Sequence, residues 1–137
     1  MAFEESPDDF WLQFSEFATT VELLPVPYGY PVVEALTSIG AVYAFDRGAP
    51  PAPVGRLEVV FAASVDSFRY RNARPGLQPL AGGRTLASGK VLKKLADEAY
   101  LFDAGLPLII NSREPLEVGA PIELVAAPPL MLFRNEA

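Results

Sequence analysis

The stretch Tyr30–Phe45, YPVVEALTSIGAVYAF, is the longest run in the chain that can form one buried element, and the predicted fold depends on it. Pro31 suits the first position of a helix. At helical spacing the polar residues Glu34, Thr37 and Ser38 share one side of that helix. The opposite side is apolar and consists of Val32, Val33, Leu36, Ile39 and Tyr43. The pattern favours one central helix.

The same stretch permits a second interpretation. In it the helix ends near Ser38, Gly40 is the left-handed residue that caps it, and a strand starts at residues 41–45. We prefer the single helix, because it gives an amphipathic element with one polar edge.

Composition limits the chemistry that the chain can perform. Its 137 residues are half apolar, which fits one domain over residues 1–137 with a single core. The chain has no cysteine and no histidine, which excludes disulfides, thiolate metal sites and a Ser-His-Asp triad. Any catalysis would rest on carboxylates, Lys, Tyr, Ser or Thr, or on a hard cation held by oxygen ligands. No cofactor and no metal site is predicted.

The N-terminus and the length of the apolar runs predict the cellular location of the protein. The first residues, MAFEESPDD, are acidic, whereas a secretory signal begins with a positive segment followed by an apolar one. No apolar run approaches the roughly 18 to 20 residues that a membrane helix needs. We therefore expect a cytoplasmic protein with no membrane contact.

Charge is distributed unevenly along the chain. Residues 55–94 hold eight bases and two acids, whereas residues 1–54 hold eight acids and one base, and residues 95–137 hold seven acids and two bases. One interpretation is that the basic segment pairs with the acidic flanks in the folded protein. The other is that it forms an anion-binding patch.

Local patterns predict one helix and several strands. Ser6 and Pro7 suit a helix N-terminus, and an aromatic stripe of Phe10, Phe14 and Phe17 follows at helical spacing. Fourteen prolines favour strands and turns over a helix bundle. The predicted strands are 19–24, 56–71, 85–95, 98–102, 106–111 and 122–126, with 130–133 as an apolar edge segment after Pro128 and Pro129. Residues 56–71 can also be two strands broken at 62–64, and propensity alone also permits a helix over 90–102.

The second half of the long 56–71 strand has a regular alternation. Phe68 and Tyr70 alternate with Arg69 and Arg71. Successive side chains of a strand point to opposite faces, so both rings should lie on one face and both arginines on the other.

The stretch 30–45 resembles the central helix of hotdog-fold proteins, the acyl-thioesterases and hydroxyacyl carrier-protein dehydratases. Residues 65–71, VDSFRYR, and the Pro75-Gly76 bend that follows Arg74 resemble the next strand in those families. The similarity covers about residues 28–102. It implies an α+β fold in which a hotdog-like antiparallel sheet packs on a central helix. It also implies a homodimer and an acyl-thioester or similar apolar-tailed ligand.

Glu34 is the candidate catalytic residue on this resemblance, because dehydratase-type members carry a helix carboxylate there. Those enzymes also use a histidine, and its absence here argues against dehydratase chemistry. A thioesterase could use one carboxylate to activate water beside a helix N-terminus. The alternative is that Glu34 is only a favourable acid near the positive end of a helix.

The basic segment supplies the candidate anion-binding residues. In a hotdog-like fold they would hold the phosphates of coenzyme A or of a phosphopantetheine carrier. They are Arg69, Arg71, Arg74, Lys90, Lys93 and Lys94.

Other fold and function classes remain open. The alternative fold is a small Greek-key β-barrel with an added N-terminal helix. The alternative function is a non-catalytic protein-interaction or assembly module that uses the aromatic helix and the proline-rich loop 49–54. A third is a single-stranded nucleic-acid-binding barrel, because cations and rings alternate in residues 68–71. A sequence pI near 4.6 argues against a polyanionic partner.

Overall fold

The computed structural model describes residues 6–27 and 30–135, and 58% of these residues lie in strands against 11% in helical segments. Helix α1 (Pro7–Phe14) is followed by nine strands. The strands are β1 (Thr19–Leu23), β2 (Val32–Thr37), β3 (Gly40–Asp46), β4 (Gly55–Tyr70), β5 (Gly76–Pro79), β6 (Thr85–Ala96), β7 (Ala99–Asp103), β8 (Pro107–Asn111) and β9 (Pro121–Arg134). Short 3₁₀ turns lie at Ser15–Phe17 and Ala81–Gly83. The predictions from the acidic N-terminus rest partly on residues 1–5, and the resemblance includes residues 28 and 29. All of these residues lie outside the described part of the chain.

The stretch Tyr30–Phe45 is a β-hairpin, so the predicted central helix is wrong. β2 and β3 pair antiparallel from Val32 opposite Phe45 to Thr37 opposite Gly40. A two-residue loop joins them, and the Thr37 hydroxyl donates to the Gly40 carbonyl at 2.8 Å. Gly40 has a φ of +115°, which only glycine adopts readily. The α+β, hotdog-like sheet packed on a central helix is therefore overturned by a mostly β fold.

Alternation explains why the hairpin forms. Val33 and Ala35 of β2 are buried, as are Val42 and Ala44 of β3, whereas the residues between them are partly or fully exposed. The apolar residues of this stretch thus satisfy a period of two as well as the helical period, and pairing with distant strands decides between them. The second interpretation was right about the break at Gly40 and the strand after it, and wrong about a helix before it.

The longest pairing joins β4 to β9. They run antiparallel from Val59 opposite Arg134 to Tyr70 opposite Ile122, with register shifts at residues 62–64 and 65–67. The predicted strand 122–126 and edge segment 130–133 are one continuous strand, and the edge assignment is wrong. Strand β9 lies between β4 on one side and β6 and β3 on the other.

Two closed rings of strands share the β4–β9 pair. One ring runs β4, β1, β2, β3, β9 and back to β4; the other runs β4, β8, β7, β6, β9 and back to β4. Strand β5 is added to the edge of β6. The pairs β3–β9 and β4–β8 are parallel. The sheet is therefore mixed, with parallel as well as antiparallel pairs.

Helix α1 packs on one face of the shared strands, as its aromatic stripe predicted. Phe10 and Phe14 are buried, and the Phe10 ring stacks on Phe133 of β9 at 3.9 Å between centroids. The Ser6 hydroxyl accepts a hydrogen bond from the Asp9 N–H at 3.2 Å, which caps the helix N-terminus. The local signals therefore placed this helix correctly.

A buried ion pair holds β3 to the end of β9. Arg134 donates from Nε to Oδ1 of Asp46 at 3.1 Å and from Nη2 to Oδ2 at 3.0 Å. The side chains are 8% and 5% exposed, and Nη2 also donates to the Ala49 carbonyl at 2.7 Å. Because the two groups are desolvated, each depends on the other for compensation of its charge.

Removal of one partner should destabilise the protein more than removal of both. We expect Asp46→Ala to lower the free energy of unfolding by about 3–5 kcal/mol, because it removes the carboxylate that makes a bidentate contact with the buried Arg134 guanidinium. The double variant Asp46→Leu/Arg134→Met should recover most of that loss. Urea unfolding measures both, and a single variant as stable as the double one would contradict this account.

Candidate functional site

Glu34 lies on the outer face of the β2–β3 hairpin, not in the first turn of a helix. Its carboxylate Oε2 accepts a hydrogen bond at 3.2 Å from the hydroxyl of Tyr43, its register partner on β3. This hydrogen bond, and the negative charge of Glu34, raise the pKa of Tyr43 above its usual value. Tyr43 is 59% exposed. Glu34 is therefore partly exposed, and its carboxylate lies beside an exposed phenol.

Two of the six candidate anion-binding residues share one carboxylate. Arg69 Nη2 lies 2.7 Å from Oε1 of Glu123, and Arg71 Nη1 lies 3.3 Å from Oε2. Both arginines project from one face of β4 and contact Glu123 of β9, while Phe68 and Tyr70 meet edge to face at 5.7 Å. The predicted alternation is confirmed. These two bases pair with the acidic C-terminal flank.

The other four candidates are exposed and have different neighbours. Lys93 lies 5.0 Å from the centroid of the Phe17 ring, and Lys94 lies 6.0 Å from that of Tyr100. Lys90 pairs with Pro121 of β9, whose carbonyl also accepts from the Arg71 N–H. Arg74 follows β4 in an exposed segment. Anion binding by this set stays a prediction.

In the described part of the chain, one edge of β3 lacks the usual protection of an exposed strand edge. Strand β5 carries Pro79, the second half of β4 carries Asp66 and Arg69, and the end of β6 carries Lys93 and Lys94. Proline and charge both hinder pairing with a further strand. Residues 40–44 of β3, GAVYA, contain neither. Within the described residues, β3 pairs with β9 only at Phe45 and Asp46, so this stretch has no neighbour on that side.

The hydrogen bonds of Asp46 and Arg47 show which main-chain groups of β3 face this edge. The Asp46 N–H donates to the Pro31 carbonyl and therefore points to β2, whereas the Arg47 N–H donates to Leu132 and points to β9. Main-chain groups of a strand alternate between its two edges. The N–H and C=O groups of Ala41 and Tyr43 consequently face away from β2, along the unpaired edge.

A narrow apolar cleft of about 160 Å³ runs along this edge. The opposite wall is β5 and the 3₁₀ turn after it, with Leu130 of β9 between the walls. Residues that line the cleft are Ala41, Val42, Tyr43, Leu77, Gln78, Pro79, Leu80, Gly83, Arg84, Thr85 and Leu130. At one end Ile39 lies so close to Gly105 that a Cβ on Gly105 would come within 2.8 Å of Ile39 Cγ2. The β3–β9 pairing closes the other end.

A larger, polar cavity of about 540 Å³ lies where β4 continues beyond β8. β8 pairs with β4 only as far as Asn111 opposite Ser64. The chain then turns away, held by the Ser112 hydroxyl, which donates to the Glu114 carbonyl at 2.7 Å. The cavity is lined by Ser64, Val65, Asp66, Ser67, Phe68, Asn111, Ser112, Arg113 and Glu114.

The described residues form neither a metal site nor a membrane-spanning helix. Over residues 6–27 and 30–135, no three Asp or Glu side chains come together in a way that could hold a metal ion. In the same part of the chain, no helix has the length and apolar character required to cross a membrane.

No family model, no curated protein and no solved structure matches the chain. The comparisons therefore bear neither on the resemblance to hotdog-fold proteins nor on any function.

Sequence reasoning missed both the cleft and the cavity. The signal for the cleft was present in residues 40–44, because five uncharged residues without proline are unusual for an exposed edge. That signal is informative only once the stretch is known to be a strand. For the cavity, Asn111 was counted only as the end of an apolar strand.

The cluster of Glu123, Arg69 and Arg71 should make the stability of the fold depend on pH. Hydrogen bonds from Arg69, together with the charges of Arg69 and Arg71, hold the pKa of Glu123 below its usual value of 4.5. A carboxylate whose pKa is lower in the folded state stabilises the fold above its unfolded-state pKa, and this contribution disappears as the pH falls through the folded-state pKa. Wild type should therefore melt above Glu123→Gln at neutral pH, and the difference should shrink below pH 4.5.

Thermal melting across this pH range measures the effect. Glu58→Gln is the matched control, because Glu58 is an exposed glutamate on β4 outside the cluster. A gap between wild type and Glu123→Gln that stays constant to low pH would show that Glu123 acts by packing and not by charge.

Proposed function

We propose that the chain is a non-catalytic protein-interaction module that binds an extended peptide segment of a partner by strand addition to β3. The observation that supports this is the unpaired edge of residues 40–44, with the main-chain groups of Ala41 and Tyr43 directed into an apolar cleft. Strand addition uses such main-chain groups for affinity and flanking side-chain pockets for specificity.

The orientation of the incoming strand follows from the pairings. β3 is parallel to β9, β9 is antiparallel to β6, and β6 is antiparallel to β5, so β3 and β5 run in the same direction. One inserted strand can therefore be antiparallel to both walls of the cleft. The Leu80 N–H donates to the Arg84 carbonyl on the β6 side, which by alternation places Pro79 on the outer edge of β5. Since proline has no N–H, β3 provides most of the main-chain contacts.

The lining of the cleft selects the chemistry of the segment. Leu80 and Leu130 favour an apolar side chain directed inward, and about 160 Å³ accommodates few side chains. The guanidinium of Arg84 is exposed on the rim, where it would attract an acidic residue of the partner. Because the cleft has only about 160 Å³, a short extended segment fits better than a second folded copy.

The contacts of Glu34 give no support to a thioesterase, since its carboxylate accepts from Tyr43 on the solvent side of the hairpin. An acyl-thioester ligand, a homodimer and a cytoplasmic location stay predictions from the sequence. Single-stranded nucleic acid is less favoured, because Arg69 and Arg71 already contact Glu123.

Ala41→Pro should remove peptide binding without unfolding the protein. The substitution deletes an N–H that faces the cleft and leaves the β2–β3 hydrogen bonds in place, and proline is tolerated on edge strands. We expect selection from a phage-displayed library of random heptapeptides on wild type to enrich alternating apolar sequences with an acidic residue. Binding of an enriched peptide to Ala41→Pro should weaken at least about tenfold, as the loss of a main-chain hydrogen bond and steric clash imply.

Ala41→Ser is the matched control, because it changes the side chain at the same position and keeps the N–H. It should bind the selected peptide as wild type does, and circular dichroism should show that both variants are folded. Failure to enrich any peptide on wild type, or equal binding by folded Ala41→Pro, would refute strand addition to β3.

A further inference from the structure

Helix α1 has an outward face that its packing on the sheet does not use. Phe10 and Phe14 are buried against the sheet, so the residues on the opposite side of the helix point outward. Leu12 lies in the middle of this outward face and is 76% exposed, more than any other large apolar side chain in the described part of the chain. Around Leu12, at helical spacing, lie the exposed acidic residues Asp8, Asp9 and Glu16. We call these four residues the acidic helix face; its carboxylates make no ion pair with another described residue.

An open groove of about 260 Å³ lies on the outer side of β4, β9 and β6. Its floor is apolar, because Val125 of β9 lies opposite Leu86 of β6 and both side chains are half-buried. The groove is lined by Ser67, Phe68, Arg69, Leu86, Glu123 and Val125. We call it the basic groove, for the charges described next.

The charge that the groove presents to solvent is positive. Arg69 and Arg71 are 66% and 54% exposed, whereas the Glu123 carboxylate beneath them is only 11% exposed. Lys90 lies opposite Pro121 at the end of the groove, and the Asp103 carboxylate beside it accepts from the Gly105 N–H at 2.9 Å. A partner that approaches the groove therefore meets two guanidinium groups above an apolar floor, which favours an apolar side chain flanked by carboxylates.

The acidic helix face and the basic groove lie on the same side of β9, at its two ends. Even-numbered residues of this strand, such as Leu124 and Leu132, belong to the main core. Odd-numbered residues lie on the other side, where Val125 lines the groove and Phe133 stacks on Phe10 of α1. A helix with its side chains is about 10 Å across, so α1 stands above the groove like a step. This side of the molecule thus has a raised acidic half and a recessed basic half.

We propose that two copies of the chain form a closed dimer in which the acidic helix face of each copy docks in the basic groove of the other. A two-fold axis between the two ends of β9 sets the raised half of one copy on the recessed half of its partner, and the reverse contact forms at the same time. Leu12 then covers the apolar floor at Leu86 and Val125, and the carboxylates around it approach the exposed guanidinium groups. The contact leaves β3 free, so it is independent of peptide binding there.

Sedimentation equilibrium of the full chain measures the association. Wild type should dimerise with a dissociation constant in the micromolar range, and added salt should weaken the dimer because the contact pairs opposite charges. Leu12→Ser should raise the dissociation constant at least about tenfold, since it removes the apolar side chain at the centre of the contact. The matched control is Leu36→Ser, which changes an exposed leucine of β2 outside both halves and should dimerise as wild type does. A monomeric wild type, or a dimer that Leu12→Ser leaves unchanged, would overturn the proposal.

Charge reversal tests which surfaces meet. The variant Asp8→Lys/Asp9→Lys reverses the helix face, and Arg71→Glu reverses part of the groove; each alone should be monomeric, because like charges then face each other in both contacts. An equal mixture of the two variants should form a heterodimer, since one of its contacts joins the reversed helix to the reversed groove and the other is that of wild type. If the mixture stays monomeric while circular dichroism shows both variants folded, the helix does not dock in the groove. Polymers longer than a dimer would contradict the two-fold arrangement.

Discussion

The pairing of β4 with β9 is the constraint on which the rest of the structure depends. These are the longest strands, with 16 and 14 residues, and no strand on their outer edges is long enough to cover either one along its full length. Each of their outer edges is therefore shared between shorter strands. β1 and then β8 cover β4, whereas β6 and then β3 cover β9. This sharing closes two rings and gives both a common wall.

Both candidate sites lie where one short strand ends and the long strand continues. On β9, pairing with β6 stops at Ala126 and pairing with β3 starts at Met131. The apolar cleft opens beside this gap, between β3 and β5, and Leu130 of β9 lines it. On β4, pairing with β8 stops at Ser64 and nothing in the described chain takes its place, which opens the polar cavity. The sites are thus consequences of strand length and register, and the buried pair of Asp46 and Arg134 fixes where β3 joins β9.

Sequence predicted the features that depend on near neighbours. Helix α1 was found because Ser6, Pro7 and an aromatic stripe are local signals, and the faces of β4 were found because alternation is a property of one strand. The Tyr30–Phe45 stretch was mispredicted because its spacing satisfies two periods, and only pairing of Val33 and Ala35 toward a distant core selects one. The sequence predicted only that the basic segment pairs with the acidic flanking segments. It could not identify Glu123 as the partner of Arg69 and Arg71, because the register that places Glu123 opposite Arg69 joins residues 54 positions apart.

The two sites differ in how far a sequence pattern can reveal them. The cleft beside β3 offers main-chain groups, which every residue except proline possesses, so its signature is the absence of proline and charge from residues 40–44. The polar cavity offers side chains from β4 and from a turn more than 40 positions later, as the pairing of Ser64 with Asn111 shows. Neither arrangement produces a contiguous motif. The apolar cleft and the polar cavity therefore become recognisable only when register is known, because register leaves Ala41 without a neighbouring strand and ends the pairing of β8 with β4 at Ser64.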